Sequence, residues 1–322
     1  MFRLVTSVFA TESNTTKRDS RRRSRPLGLE SLENRLLMAG DLTTATRTSG
    51  GSTTVATAAV APTTTVPIAT TVPKVATVTL VNGNLLIHGT NNDDKVFIDL
   101  ANSIYVVKVN GATYQYKASL VTGGQVTFFG YDGNDEFWNG PNSELRAIAY
   151  GGNGNDNLIG GKKNDLLFGE AGNDTLQGRG GNGDLLDGGD GRDKLYGGEG
   201  DETLIGGLGH DQIYGYGGND TIYAGTVSGL DTHGNYVEGG AGNDIIYGGN
   251  FGVDYLYGGD GNDWILGNAG DDFIDGGRGD DRLYGGGGDD TIVYDSVDAW
   301  VSGGSGIDTI LADGLNTISR YQ

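Results

Sequence analysis

From Gly151 to Leu311 the chain keeps one strict hydrophobic beat. An aliphatic residue returns about every nine positions: Leu158, Leu167, Leu176, Leu186, Leu195, Leu204, Ile213, Ile222, Val237, Ile246, Leu256, Ile265, Ile274, Leu283, Ile292, Val301 and Ile310. Each is the eighth residue of a unit such as Gly151-Gly152-Asn153-Gly154-Asn155-Asp156-Asn157-Leu158-Ile159, or G-G-x-G-x-D-x-U-x with U aliphatic. Seventeen units share this phase; fourteen have nine residues, those starting at Gly178 and Gly248 have ten, and the one starting at Ala224 has fifteen. A short strand in each unit turns one side chain inward, and the pattern assigns that place to position eight. Upstream, over residues 75–150, the pattern is strand-like instead. Asn82-Gly83 and Asn110-Gly111 separate the runs Val75–Val81, Leu85–His88, Ile104–Val109 and Ala112–Tyr116, as hairpin turns do. Two isolated repeat-like turns, Gly89–Phe97 with Asp94 and Gly130–Trp138 with Asp135, join this region to the array behind it. It reads as a β cap, which an open stack of strands needs at its edge.

Composition narrows the chemistry. Among 322 residues there are 60 glycines, no cysteine and 3 histidines. Disulfides, thiol catalysis and cysteine zinc sites are excluded, and a histidine-rich metal site is disfavoured. The net charge of -20 points away from nucleic acid and anionic membrane and toward cations. Residues 151–322 hold 30 acidic and 8 basic side chains, or -22, together with 48 of the glycines. Residues 1–40 hold 8 basic and 4 acidic side chains, or +4. No run of apolar residues is long enough for a membrane-spanning helix. Five regions follow: 1–40, 41–74 (a Thr/Ala/Val/Pro-rich linker), the cap 75–150, the array 151–311 and a tail 312–322.

Position six of the unit carries the acid. Fourteen units have aspartate there: Asp156, Asp165, Asp174, Asp184, Asp193, Asp211, Asp220, Asp244, Asp254, Asp263, Asp272, Asp281, Asp290 and Asp308. Glu202, Asn235 and Ala299 are the exceptions. The nonapeptide resembles that of the RTX, or hemolysin-type calcium-binding, family. The resemblance covers about half the chain. It implies an all-β fold, a parallel β-roll in which six residues form a calcium turn, three form a strand, and two units make one coil. It also implies that the fourteen aspartates are metal ligands. Turns i and i+2 then stack on one edge, which gives fifteen pairs, ten of them with aspartate on both members. Ten Ca2+ ions would bring +20 against the -22 of residues 151–322. Carboxylates and turn carbonyls offer the six or more hard oxygens that Ca2+ takes, where Mg2+ keeps its waters and Zn2+ wants His or Cys. Seventeen aliphatic side chains do not offset the ordering of a glycine-rich array whose acidic turns repel, so a cation is expected to complete the fold.

The N-terminal segment resembles the LEPR-XLL sorting segment of exported bacterial surface proteins through Leu29-Glu30, Leu32-Glu33, Arg35-Leu36-Leu37 and Ala39-Gly40, with Asn34 where that family usually has proline. The expectation is therefore an exported, non-enzymatic calcium-binding β-roll at the cell surface or secreted. An adhesin or glycan-binding protein with structural calcium is a second reading, resting on the outward tyrosines at position nine: Tyr196, Tyr214, Tyr223, Tyr247, Tyr257 and Tyr284. A stacked tyrosine ladder on a flat sheet is the plainer account of them. A hydrolase or toxin with a calcium appendage is a third reading, for which the cap leaves little room. No H-E-x-x-H or phosphate-binding loop is present, Ser305 lies in a repeat turn, and His210 fills a slot where many units have asparagine. The Ala224–Glu238 unit reads as a tolerated insertion, with a partner-binding loop as the alternative.

Overall fold

The computed structural model describes residues 72–226, 232–298, 300–312 and 318–319. The basic segment 1–40, most of the linker, Ala299 and residues 227–231 of the long unit lie outside the described residues. Among the described residues the only helical element is one 3-10 turn, Ala118–Leu120; all other regular elements are strands.

Two units make one coil. Leu158 pairs with Leu176, Leu176 with Leu195, and Leu195 with Ile213 in one parallel sheet. Leu167, Leu186, Leu204 and Ile222 pair in the same way in the other. Odd and even units therefore build separate sheets, of 14 and 12 strands among the described residues. The eighth side chains meet between them: every one from Leu158 to Ile292 has no exposed surface. Val301 is only partly buried and Ile310 is 8 % exposed, because the stack runs out of neighbours there. The ten-residue units shift the ladder from 18 to 19 residues without changing which residues pair, as Leu167↔Leu186 and Val237↔Leu256 show.

The same winding begins well before Gly151. Asn84–His88 pairs in parallel with Gln125–Asp132, and Gln125–Asp132 with Arg146–Asn153. Lys95–Ala101 pairs in parallel with Glu136–Asn139 on the other sheet. Phe128 and Phe137 stack at 5.3 Å inside this first part of the roll. Only the outer strands are antiparallel. Thr77–Val81 folds back on Asn84–His88 through Asn82 (φ 50) and Gly83 (φ 78), and Ile104–Val109 on Ala112–Lys117 through Asn110 (φ 49) and Gly111 (φ 83). Positive φ at both central residues is the two-residue hairpin geometry that Asn-Gly favours. Sequence patterning missed Lys95–Ala101 as a strand that pairs on both sides, in parallel with Glu136–Asn139 and antiparallel with Ile104–Val109.

Candidate metal-binding turns

Each turn ends on its position-six residue, and all fourteen predicted aspartates are buried, none above 4 % exposed. Their placement follows from the strand that comes next. With position eight fixed inward, position six also points inward, at the edge between the sheets. The position-six side chains form two files, the second interrupted between Asp184 and Glu202. In the first, each backbone N–H donates to the Oδ1 of the residue one coil on: Asp156 to Asp174, Asp174 to Asp193, Asp193 to Asp211, Asp254 to Asp272 and Asp272 to Asp290, at 2.7–2.9 Å. Asp290 continues to Asp308 at 3.1 Å. Asn235 bridges Asp211 and Asp254 by accepting from the first and donating to the second. The second file runs from Asp165 to Asp184, and from Glu202 through Asp220, Asp244 and Asp263 to Asp281.

The other carboxylate oxygen faces a cradle. Oδ2 of Asp156, Asp174, Asp184, Asp193, Asp244, Asp263, Asp272 and Asp290 is buried and has no hydrogen-bond partner. Beside it stands the first glycine of its own turn and the carbonyl of the first glycine one coil on. At Gly258, a Cβ would come within 3.0 Å of both Asp263 Oδ2 and Gly276 O; at Gly151, of both Asp156 Oδ2 and Gly169 O. Only glycine leaves that space open. Two oxygens from neighbouring coils thus converge on a point where a side chain cannot go.

Burial without a partner is costly for a carboxylate, and its pKa shows it. Desolvation pushes Asp174 and Asp272 up to about 8, Asp165, Asp193 and Asp263 to about 7, and Asp156, Asp184, Asp244 and Asp290 to about 6. Amide donors along the file oppose this only in part. Desolvation likewise raises Asp220 to about 7 and Asp281 to about 6, with Asp244 beside the first and Asp298 beside the second as further acids. A cation beside such carboxylates would offset their burial. No three His, Cys, Asp or Glu side chains converge as a ligand group among the described residues. Any ion here must complete its shell from backbone carbonyls, which suits Ca2+ and excludes a zinc-type donor set.

The turns are not equivalent. In two of them the inner oxygen already has an amide donor: Gly161 N–H to Asp165 Oδ2 and Gly249 N–H to Asp254 Oδ2, both at 2.5 Å. Lys162 and Lys163, inside the first of these turns, reach out to Glu144 at 3.5 and 3.2 Å and leave the cradle alone. The ten-residue turn of Asp184 keeps its cradle, with Asp184 Oδ2 and Gly197 O both beside Gly178. Where the sequence has Ala299 at position six, the neighbouring Asp298 takes over: its Oδ1 accepts from Asp281 N–H at 3.2 Å, and its Oδ2 from Asp295 N–H at 2.7 Å. Period counting missed Asp298 because its turn lacks the glycines that set the phase.

The histidines pack against their neighbours in the chain. His210 Nδ1 lies 2.7 Å from Gly234 O, and its ring meets His233 edge-on at 4.8 Å. His88 is buried against Phe129 at 5.2 Å, and desolvation lowers its pKa. The outward tyrosines do not form one ladder. Tyr196 stacks on Tyr214 (5.4 Å) on one sheet, Tyr223 on Tyr247 (5.0 Å) on the other, and Tyr284 on Trp300 (5.6 Å).

Stacked coils, glycine-lined cradles and files of partnerless carboxylates define a calcium-binding parallel β-roll. Residues 150–227 and 231–299 match the RTX calcium-binding nonapeptide repeat, in overlapping stretches from 150–185 to 266–299. This array consists of RTX calcium-binding repeats. No curated protein matches the chain.

Proposed function

We propose that this chain is an exported, non-enzymatic protein whose roll is completed by several Ca2+ ions outside the cell. The aspartates with a partnerless Oδ2 beside a glycine carbonyl are the ligands in this reading, and Asp165, Asp211, Asp220, Asp254, Asp281 and Asp308 extend their files. The buried, unpartnered carboxylate oxygens carry the proposal. An ion between Asp263 Oδ2 and Gly276 O removes the cost of burying both. Export rests on the cation requirement and on the segment Leu29–Gly40. At low internal calcium the array stays open, and it closes where calcium reaches about 10⁻⁴–10⁻³ M. Far-UV circular dichroism of the whole chain tests this. Calcium should produce a coil-to-β change that a chelator reverses and magnesium does not produce. A β-rich spectrum in chelator would overturn folding by calcium.

One observation favours a second reading, a surface protein that binds glycans. Tyr196, Tyr214, Tyr236, Tyr257 and Phe273 form an outward aromatic belt across adjoining strands, with successive centroids 5.4, 5.8, 5.4 and 5.6 Å apart. Arg179, Glu199 and Tyr216 flank Tyr196 around a groove of about 430 Å³. Glycan-array binding that is lost in Tyr214→Ala and Tyr257→Ala would support it; no binding by the calcium-loaded chain would remove it.

A further inference from the structure

The first carboxylate file does not start at Asp156. Asp135 N–H donates to Asp156 Oδ1 at 2.7 Å, and Asp94 N–H donates to Asp135 Oδ1 at 2.7 Å. Both residues lie upstream of the stretch that matches the repeat family, which begins at residue 150. Neither turn has glycine in the second place. Tyr131 stands there with φ 80, as Glu170, Arg179, Tyr216 and Asn268 do in the array with φ 73–77. In the turn of Asp94 the corresponding place holds Thr90.

The two turns treat their inner oxygen in opposite ways. Asp135 is 1 % exposed, and its Oδ2 has no partner. A Cβ on Gly130 would come within 3.0 Å of both Asp135 Oδ2 and Gly151 O. This is the cradle found at Gly151 and Gly258, built from a cap turn and the first repeat. Desolvation, with Asp156 and Asp94 as further acids, raises the Asp135 carboxyl to about 8. At Asp94 the Gly89 turn also brings Oδ2 and Gly130 O together, but both carboxylate oxygens have protein donors. Its Oδ2 accepts from Thr90 N–H at 2.6 Å and Thr90 Oγ1–H at 3.2 Å, and its Oδ1 accepts from the Asn110 side-chain amide. Asn110 belongs to the hairpin turn that closes this end of the sheet.

We infer that the turn Gly130–Asp135 and the first repeat together hold a further divalent-cation site of the calcium type, with Asp135 Oδ2 and Gly151 O among its ligands, and that Asp94 ends the file with protein donors in place of an ion. The inference rests on the calcium reading of the array and extends it into the cap. The bulky side chain at the second place is no obstacle, because Tyr131 points outward, where its hydroxyl lies 2.7 Å from His88 Nδ1. The cap then does more than shield an edge: its junction with the array is tied by the same ion that ties coil to coil.

Native mass spectrometry of the full chain with calcium counts bound ions one by one, and amide hydrogen exchange locates them. Asp135→Asn and, separately, Gly130→Ala should each bind one ion fewer than wild type and lose calcium-dependent protection over residues 130–138, while protection over 258–292 persists. Asp94→Asn should keep the wild-type count. An unchanged count in both Asp135→Asn and Gly130→Ala, with wild type binding several ions, would overturn the cap site and leave the array reading intact. A loss of one ion in Asp94→Asn would overturn the closure at Asp94. If wild type binds no calcium, the array reading itself fails. A cap that unfolds in Asp135→Asn would show as exchange over Asn84–His88 even at saturating calcium; Gly130→Ala, which keeps the carboxylate, then decides.

Discussion

The glycine at position one is the sharpest handle on the cradle. Gly258 has no positive φ, so alanine there meets no backbone strain; its Cβ meets Asp263 Oδ2 and Gly276 O instead, both under 3.0 Å away. Contacts that short force a shift, and overpacking of this kind costs about 1–3 kcal/mol. The methyl also fills the volume an ion would take. A loss of ~2 kcal/mol at one site is about 30-fold in that site's affinity. A global titration would hide it. If folding couples about ten ions, ~2 kcal/mol moves the shared midpoint only ~1.4-fold, because the loss is divided among all of them. The assay must therefore be local: hydrogen exchange of the turn Gly258–Trp264 as calcium is raised. Gly217→Ala is the matched control. It lies in a turn of the same file, also without positive φ, and its nearest neighbour, Glu199 Oε2, is 3.6 Å from the new Cβ. Gly258→Ala should need at least tenfold more calcium to protect its turn, and Gly217→Ala no more than wild type. Equal behaviour of the two variants would refute the cradle as the ion's place.

Other expectations follow from the same geometry. Leu195→Ala empties a position with no exposed surface and should cost about 2–5 kcal/mol, read as a lower melting temperature in saturating calcium. In chelator the carboxyls raised to between about 6 and about 8 stay protonated in the roll while they ionise near 3.8 when unfolded, so their contribution is complete below about pH 4 and is lost as pH rises through 6–8. Ion-free chain should therefore gain β signal on acidification from pH 8 to pH 5; a loss of signal would contradict the burial argument. Calcium binding must expel those protons, so calorimetry near pH 7 in buffers of different ionisation enthalpy should show proton release. Replacing Asp263 and Asp281 together by alanine removes adjacent members of one file and should lower the steepness of calcium titration.

Position eight told the fold because burial there is a single, periodic demand: Leu158 through Ile292 cannot be anything but core. The files were legible for a related reason, since two units per coil place Asp156 over Asp174 and Asp244 over Asp263. What escaped the pattern lies where the period breaks. Asp298 sits in a turn without glycine and lies one place before position six, while Asp135, legible as the acid of an isolated repeat-like turn, stands 21 residues before Asp156 and so outside the regular count of the file. Asp165 and Asp254 stand apart in the sequence through Lys162-Lys163 and a ten-residue turn, but neither feature reveals that their inner oxygens accept from Gly161 and Gly249.

The files also determine how far one binding event is felt. An aspartate such as Asp174 or Asp193 uses Oδ1 to hold the amide of the coil before it and aims Oδ2 at the glycine carbonyl of the coil after it. An ion that fixes Asp174 therefore fixes the turn of Asp156 on one side and Gly188 on the other, and no residue reaches past its nearest neighbours. Coupling of this kind is one-dimensional, as in other stacked repeats. It should run freely along Asp156, Asp174 and Asp193 and weaken at Asn235, whose side-chain amide donates to Asp254 Oδ1 where a carboxylate would only accept. On the outer surface a second ladder runs the opposite way: Asn173 N–H donates back to Asn155 Oδ1, and Asn155 N–H to Asn134 Oδ1. That ladder needs no ion of its own, so it adds hydrogen bonds between coils once ions in the cradles have brought the turns together.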